Sequence, residues 1–461
     1  MANILCITSG LTGILNASFE LVARLQTEGH QLAYASPAVV GQKVREQGID
    51  YHQLPAILVE PGPELPSFRG PLGKLSRLAY KFRHAAERRR QALAQLRPEE
   101  FGRLIETLSP DLLIVDVELH EYIIWAHQHG QPMLLLSQWF SLWNRPGLPY
   151  LLHDTIPGQG KEGSPQSIAS SWRKIRRRRS WTFWKRKMLS GFTDRRTVLL
   201  DFAKEQNFPL ELIKDNYWPG PFTYDQLPVI SMTAQEMEFP HDLRPNLHYV
   251  GPMVRAERKE NTPPAIETSI GEVLSASRAE GQSILYCSVS TLHAGDAQFI
   301  AKIIEAVRGR SDWSLIIGMG GLLEEKRFGE LPSNVHAYSY VPQLKVLAQA
   351  NLSINHGGIH TINECIHFQV PMLVYSGKRS DQNGCAARVA YHRLGLMADK
   401  DVDGPQEIRQ KIDTVLKDAQ VSEQMAQLHR HYLQYQEERR LQKTVAKLLS
   451  KQVEQKTKLL S

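Results

Sequence analysis

Cysteine is scarce in this 461-residue chain, with only Cys6, Cys287, Cys365 and Cys385 present. These four are scattered through mostly apolar segments without metal-ligand spacing, which argues against a disulfide framework or a cysteine-built metal centre and leaves reduced, buried thiols as the expectation. Long hydrophobic runs are missing too. No stretch approaches the roughly 18 apolar residues that would cross a bilayer. The opening MANILCITSG lacks a basic leader and a cleavage site, so it reads as a strand rather than a signal peptide. A cytoplasmic protein is expected. The turn after that strand, SGLTGI, has two glycines and no Gly-x-Gly-x-x-Gly, which argues against a dinucleotide site. One more absence is local: the stretch SWRKIRRRRSWTFWKRKM, Ser171 to Met188, holds no acidic residue and carries much of the net charge of +7.

What is present describes two folded units. Hydrophobic content of 42% and charged content of 22% belong to a globular protein without wholesale disorder, and the length exceeds one ordinary core. In the first third, the apolar runs ANILCITS, HQLAYAS, PDLLIVDV and QPMLLLS alternate with helical patterns over Phe19 to Glu28 and Glu121 to His129. Strands that are apolar on both faces and separated by helices indicate the parallel sheet of a doubly wound α/β domain. Pro61 to Arg97 and Trp143 to Asn216 read as basic or aromatic insertions on it. After PVISMTAQEM and LHYVGPMV, the polar RAERKENTPPAIE has two prolines and no apolar period, as a linker would. A second α/β series follows with SILYCSVS, a helix over Phe299 to Val307, WSLIIGMGG, NVHAYSYVP, LSINHGG and PMLVYS. The expected division is an N-terminal domain over 1–250, a linker over 251–265, a C-terminal domain over 266–420 and a charged amphipathic helical segment over 421–461. Taken alone, that last segment reads as solvated; in this architecture it would pack back toward the N-terminal domain.

The segment richest in chemistry is YVPQLKVLAQANLSINHGGIHTINECIHFQVPMLVYSGKRSDQ, Tyr340 to Gln382. A strand ending at Asn355 opens into a Gly-Gly turn and then a helix, so backbone N–H groups and the positive end of a helix dipole face outward. That arrangement suits an anion such as a diphosphate. His356 and Thr361 can add donors to it, and Glu364, two turns beyond His356, offers an acceptor-only carboxylate suited to a ribose diol. Tyr340 and Gln343 supply a flat ring and an amide that could stack on a base and read its edge.

In order and spacing this segment resembles the signature of the UDP-glycosyltransferase superfamily, the nucleotide-sugar-dependent enzymes of the GT-B fold. The match rests on VPQ, on HGG followed by a Thr and then Glu364, on VPM, and on the closing Asp381-Gln382 pair. The resemblance implies two Rossmann-like doubly wound domains facing a cleft. It places Tyr340 against the base, Gln343 on the uracil, His356, Gly358 and Thr361 on the diphosphate, Glu364 on the ribose, and Asp381 with Gln382 on the sugar hydroxyls. CSVST, Cys287 to Thr291, resembles a strand-end turn of the family that brings Thr291 near a phosphate, although Ser290 stands where the family has Gly. His360 likewise replaces the usual Asn. The family implies an inverting hexosyl transfer, glucose first, from a UDP-sugar to a hydrophobic acceptor. Neither cofactor nor metal is expected, because the helix dipole and polar side chains can stand in for Mg²⁺.

The N-terminal half departs from that pattern at one position. The family's Gly-His turn after the first strand aligns with Gly13-Ile14, in GILNA with Asn16, and Ile14 cannot accept a proton. The orienting aspartate of the family matches Asp116 in PDLLIVDV. Four explanations stand open. His120, four residues after Asp116, could restore an Asp-His pair on a helical turn, or Asp116 or Glu118 could act directly if burial raised its pKa. The acceptor could already be an anion. Departure of UDP could drive transfer, stabilised by the helix N-terminus and His356. Catalysis could also be lost, leaving a silent sugar-nucleotide-binding protein at a membrane or in a complex. A sugar-nucleotide epimerase of similar layout is disfavoured by the signature segment.

Ser171 to Met188 interleaves Arg and Lys with Trp172, Trp181, Phe183 and Trp184. Basic residues are drawn to an anionic leaflet and Trp to its headgroup layer, so 171–188 is a candidate peripheral membrane contact, against the plainer reading of a solvated positive loop. Nucleic acid is disfavoured, since no recognised binding module accompanies the charge.

Overall fold

The computed structural model describes residues 1–56, 65, 67, 73–96, 98–215, 220–260, 262–288, 297–321, 328–378 and 380–460, with backbone alone at 98 and 452–460. A seven-stranded sheet organises the N-terminal half. Its strands are β1 (Asn3–Ile7), β2 (Gln31–Ser36), β3 (Asp50–Gln53), β4 (Leu112–Asp116), β5 (Met133–Ser137), β8 (Val229–Ser231) and β9 (Leu247–Tyr249), while β6 (Ile213–Asp215) and β7 (Phe222–Tyr224) form a separate antiparallel pair. The order is β3-β2-β1-β4-β5-β8-β9, all parallel. The C-terminal half repeats the plan with β10 (Ser283–Ser288), β11 (Trp313–Gly318), β12 (Val335–Tyr338), β13 (Leu352–Asn355), β14 (Met372–Tyr375) and β15 (Gly395–Ala398), in the order β12-β11-β10-β13-β14-β15. The chain direction across the sheet reverses between β1 and β4 in one half and between β10 and β13 in the other. In open α/β sheets ligands bind outside the strand ends at such switch points.

The central strands form where the sequence is apolar on both faces: β4 and β5 are buried throughout. β3, with the sequence DYHQ, was not visible as a strand in the sequence, because a short polar edge strand carries no apolar run. The first helix also begins earlier than its pattern suggests, at Thr12 rather than Phe19, with no side-chain cap to mark its start.

The 143–216 insertion is organised by a 26-residue helix, Pro165–Ser190. Ser164 caps it by accepting from the Ser167 N–H at 3.3 Å, Pro165 pre-sets its first turn, and Gly191 ends it at φ 67°. The helix Gly73–Arg83 lies against its far end, where Lys81 Nζ donates to the Leu189 carbonyl at 2.7 Å. Trp172 is buried and donates its indole N–H to the Leu148 carbonyl at 2.7 Å. Phe183 lies between the guanidinium groups of Arg179 and Arg196. Only Trp181 and Trp184 of the four aromatic residues project outward, 61% and 54% exposed and stacked on each other.

The last segment forms two helices, Ala419–Glu437 and Arg440–Leu460, and they are not simply solvated. Tyr432 donates to Asn363 Oδ1 at 2.8 Å in the C-terminal half, and Tyr435 donates to Glu236 Oε2 at 2.7 Å in the N-terminal half. Beyond them, Leu441 and Val445 enter the core around β1 and Tyr34, and Arg439 pairs with Glu28. The two halves also meet directly. Arg388 and Glu238 form a fully buried ion pair at 2.7 Å, with Phe140 and Phe239 flanking the guanidinium.

Candidate functional site between the two sheets

At the carboxyl end of β13, Asn355 Oδ1 accepts the Gly357 N–H at 2.9 Å and shapes the turn. Gly357 sits at φ +83°, and a Cβ there would come within 3.0 Å of the Gln382 carbonyl, so this position requires glycine. Gly358 then caps the helix Ile359–His367, whose first turn contains no acidic side chain. The first N–H groups of that helix have no intrahelical acceptor, and the macrodipole adds positive potential at the same place. His356 lies over the turn, with Nε2 2.8 Å from where a Gly358 Cβ would be. Thr361 stands half-buried on the first turn.

The other residues singled out in the C-terminal half fall on β10, on this helix and on the segments around 340 and 381. Glu364 is buried and accepts from Gln343 Nε2, while Tyr286 donates to Gln343 Oε1 at 3.2 Å. Glu364 also pairs with Arg258 at 2.9 Å, and Arg258 binds Glu260 at 3.0 Å. Sequence reasoning missed Arg258, because a charged residue in a polar linker gives no sign of the carboxylate it will meet. Tyr340 is 53% exposed, with the hydroxyl end of its ring beside Gly321. Asp381 is buried and accepts from Ser380 Oγ at 3.1 Å and Cys385 Sγ at 3.2 Å, and burial raises its pKa. Gln382 Oε1 is buried with no hydrogen-bond partner among the described residues, 2.5 Å from where a Gly377 Cβ would lie. Ser290 and Thr291 lie outside the described residues.

On the facing side, Gly13 lies in the first helical turn against the C-terminal half: a Cβ there would lie 2.6 Å from His360 Cδ2. His360 Nε2 is also 2.9 Å from Gln138 Oε1, just past β5, and burial pushes its pKa down to about 4. Ile14 is fully enclosed in the apolar core of the N-terminal sheet, and Asn16 is half-buried. The turn therefore offers no proton acceptor at position 14.

Asp116 ends β4 and is enclosed, with Oδ2 accepting the Ser9 N–H and Oδ1 the Glu118 N–H, both at 3.1 Å. The pairing of Asp116 with His120 does not form. A four-residue spacing shares a face only inside a helix, and the helix here starts at His120 itself. The imidazole instead packs on Phe222 and Tyr224, with Nδ1 3.1 Å from the Tyr224 hydroxyl. Burial and the nearby Arg195 push its pKa down to about 3. Glu118 is the carboxylate that does reach the gap: its Oε1 accepts the Trp139 indole N–H at 3.2 Å.

Among the described residues, no cluster of three or more His, Cys, Asp or Glu is arranged to hold a metal ion, and no helix is long and apolar enough to cross a membrane. All four cysteines are buried, and none forms a disulfide among the described residues.

Residues 305–442 match the family model of the erythromycin biosynthesis protein CIII-like C-terminal domain. Over 139 residues the chain is 32% identical to an uncharacterised UDP-glucosyltransferase of Bacillus subtilis, an alignment covering 30% of this chain and about a third (35%) of that relative. It is 23% identical to the oleandomycin glycosyltransferase of Streptomyces antibioticus over 78% of this chain and 71% of that one. The crystal structure of a calicheamicin glycosyltransferase superposes with a TM-score of 0.63 at 17% identity, covering 98% of both chains. Two facing doubly wound sheets give the chain the GT-B fold of the superposed structure, and residues 305–442, which hold the turn after β13, carry its likeness to the erythromycin CIII-like C-terminal domain and to the bacterial glycosyltransferases.

Proposed function

We propose that this protein is an inverting glycosyltransferase that moves a hexose, glucose first, from a UDP-sugar to a hydrophobic small-molecule or lipid acceptor. The observation that carries the reading is the Gly357-Gly358 turn, which opens the helix Ile359–His367 at a sheet switch point and faces the N-terminal domain across His360 and Gln138. In this reading the diphosphate lies on that helix N-terminus with His356, Gly358 and Thr361, and Thr291, outside the described residues, keeps the phosphate role that the sequence resemblance implies. Tyr340 and Gln343 take the base. Glu364 takes the ribose once its bond to Arg258 is exchanged for the diol. Asp381 and the Gln382 amide oxygen take sugar hydroxyls. The acceptor oxygen attacks the anomeric carbon as the bond to UDP breaks, and the leaving electron pair stays on the diphosphate. The dipole and side chains stabilise that charge, so a metal is not needed.

The hydrophobic acceptor is supported by the oleandomycin enzyme among the relatives, and the UDP-glucose donor by the Bacillus subtilis protein. A peripheral, cytoplasmic-face membrane contact is supported by the Pro165–Ser190 helix. There Trp181 and Trp184 line a groove of about 770 Å³ with Arg173, Arg176 and Arg177. Ile14 favours one second reading, a silent sugar-nucleotide-binding protein.

The test is to incubate the protein with radiolabelled UDP-glucose and a panel of hydrophobic alcohols and lipid extract, with EDTA in parallel. Label entering the organic phase, unaffected by EDTA, supports transfer. Tight UDP binding with no labelled product from any acceptor supports the silent reading instead.

A further inference from the structure

We propose that Glu118 is the general base of this protein, taking the acceptor proton that Ile14 cannot take. The assignment rests on the transferase reading above. The end of β4 and the turn after it carry two carboxylates, and their surroundings divide the work. Asp116 is enclosed, and both its oxygens are spent on the backbone N–H groups of Ser9 and Glu118, so it positions the loop and the turn before Gly13. Glu118, two residues later, is only partly covered. Its Oε1 is held by the Trp139 indole, and its Oε2 makes no hydrogen bond among the described residues. Trp139 follows Gln138, which touches His360 beside the diphosphate turn, so the same short segment aims Glu118 and meets the C-terminal domain.

The titratable groups that face Glu118 are Asp116 from its own strand end and Asp381 across the gap, near enough for its charge to register. Burial first, and then these two carboxylates, push its pKa up to about 8, against the opposing pull of the Trp139 hydrogen bond. A carboxylate of that basicity beside the proposed sugar-hydroxyl site can take the proton of an acceptor alcohol as its oxygen attacks the anomeric carbon. The C–O bond to UDP breaks, UDP leaves with the electron pair, and the Glu118 carboxyl returns the proton to solvent.

The experiment compares wild type, Glu118→Gln and Glu118→Asp with UDP-glucose and two acceptors, a long-chain alkanol and ionised 4-nitrophenol, which needs no base. Transfer to the alkanol should rise with pH through about 8. It should fall by about 10²-fold or more in Glu118→Gln, recover partly in Glu118→Asp, and lose its alkaline rise in Glu118→Gln. Transfer to the nitrophenolate should change far less. A second readout needs no turnover. A carboxyl whose folded pKa is raised stabilises the fold below its unfolded pKa and loses that stabilisation as pH rises to the folded value. The Tm of Glu118→Gln relative to wild type should therefore climb between about pH 5 and pH 8. An active wild type matched by Glu118→Gln on the alkanol, equal losses on both acceptors, or a Tm difference that ignores pH would overturn the assignment alone. A wild type that releases no UDP with either acceptor would overturn the transferase reading and the assignment together.

Discussion

His120 and Glu118 stand two positions apart, and burial moves their basicity in opposite directions. The His120 imidazole is shut in with Phe222 and Tyr224 and near Arg195, so its charged form is disfavoured and its pKa falls to about 3. A depressed pKa means that the native state binds fewer protons than the unfolded chain. The stability it contributes is present above the unfolded value and is lost as pH falls through the folded one. His120→Gln is therefore expected to lose less Tm than wild type on acidification, while its rate-against-pH curve keeps its shape. Thermal melts and initial rates across pH check both. The sequence could mark Asp116 as a strand end and His120 as a nearby base, but not that the helix starts too late for them to share a face. The Glu364 carboxylate was legible from its place after HGG. Its partner Arg258 was not, because that contact joins residues about a hundred positions apart through tertiary folding.

At the scale of the element, legibility followed the apolar pattern. The buried parallel strands β1, β4, β10 and β13 read as continuous runs, and the Gly-Gly turn after β13 was legible because a strand, two glycines and a helix follow one another locally. The polar edge strand β3 and the early start of the first helix left no such mark. The basic helix Pro165–Ser190 was readable in charge but not in orientation. Trp172 is spent on the Leu148 carbonyl and Phe183 on two arginines, so Trp181 and Trp184 alone are left to meet a headgroup layer. Replacing both with Ala, or reversing Arg176 and Arg177 to Glu, is expected to weaken binding to phosphatidylserine-containing vesicles. The charge change should cost about 1 kcal/mol per residue lost and should fade in high salt. Vesicle co-sedimentation measures it, and equal binding to uncharged vesicles would count against the surface.

At the scale of the molecule, two domains of the same plan meet through close contacts. Arg388 and Glu238 are buried together at the interface, so Arg388→Ala leaves a carboxylate uncompensated and is expected to cost about 3–5 kcal/mol in urea unfolding. Gly13 packs so closely on His360 that Gly13→Ala must push the domains apart or turn the ring. UDP affinity should drop in Gly13→Ala and recover in Gly13→Ala with His360→Ala, a coupling that a double-mutant cycle by calorimetry would show. On the proposed function, the turn after β13 holds a sugar nucleotide whose sugar departs only to an acceptor. The most direct test of that reading is UDP release from UDP-glucose, with and without a hydrophobic acceptor, in wild type and in Gly358→Val, whose side chain would collide with His356. Release that requires acceptor in the wild type and is lost in the variant is the predicted result. Release equal in the two proteins, or none from the wild type with any acceptor, would contradict it.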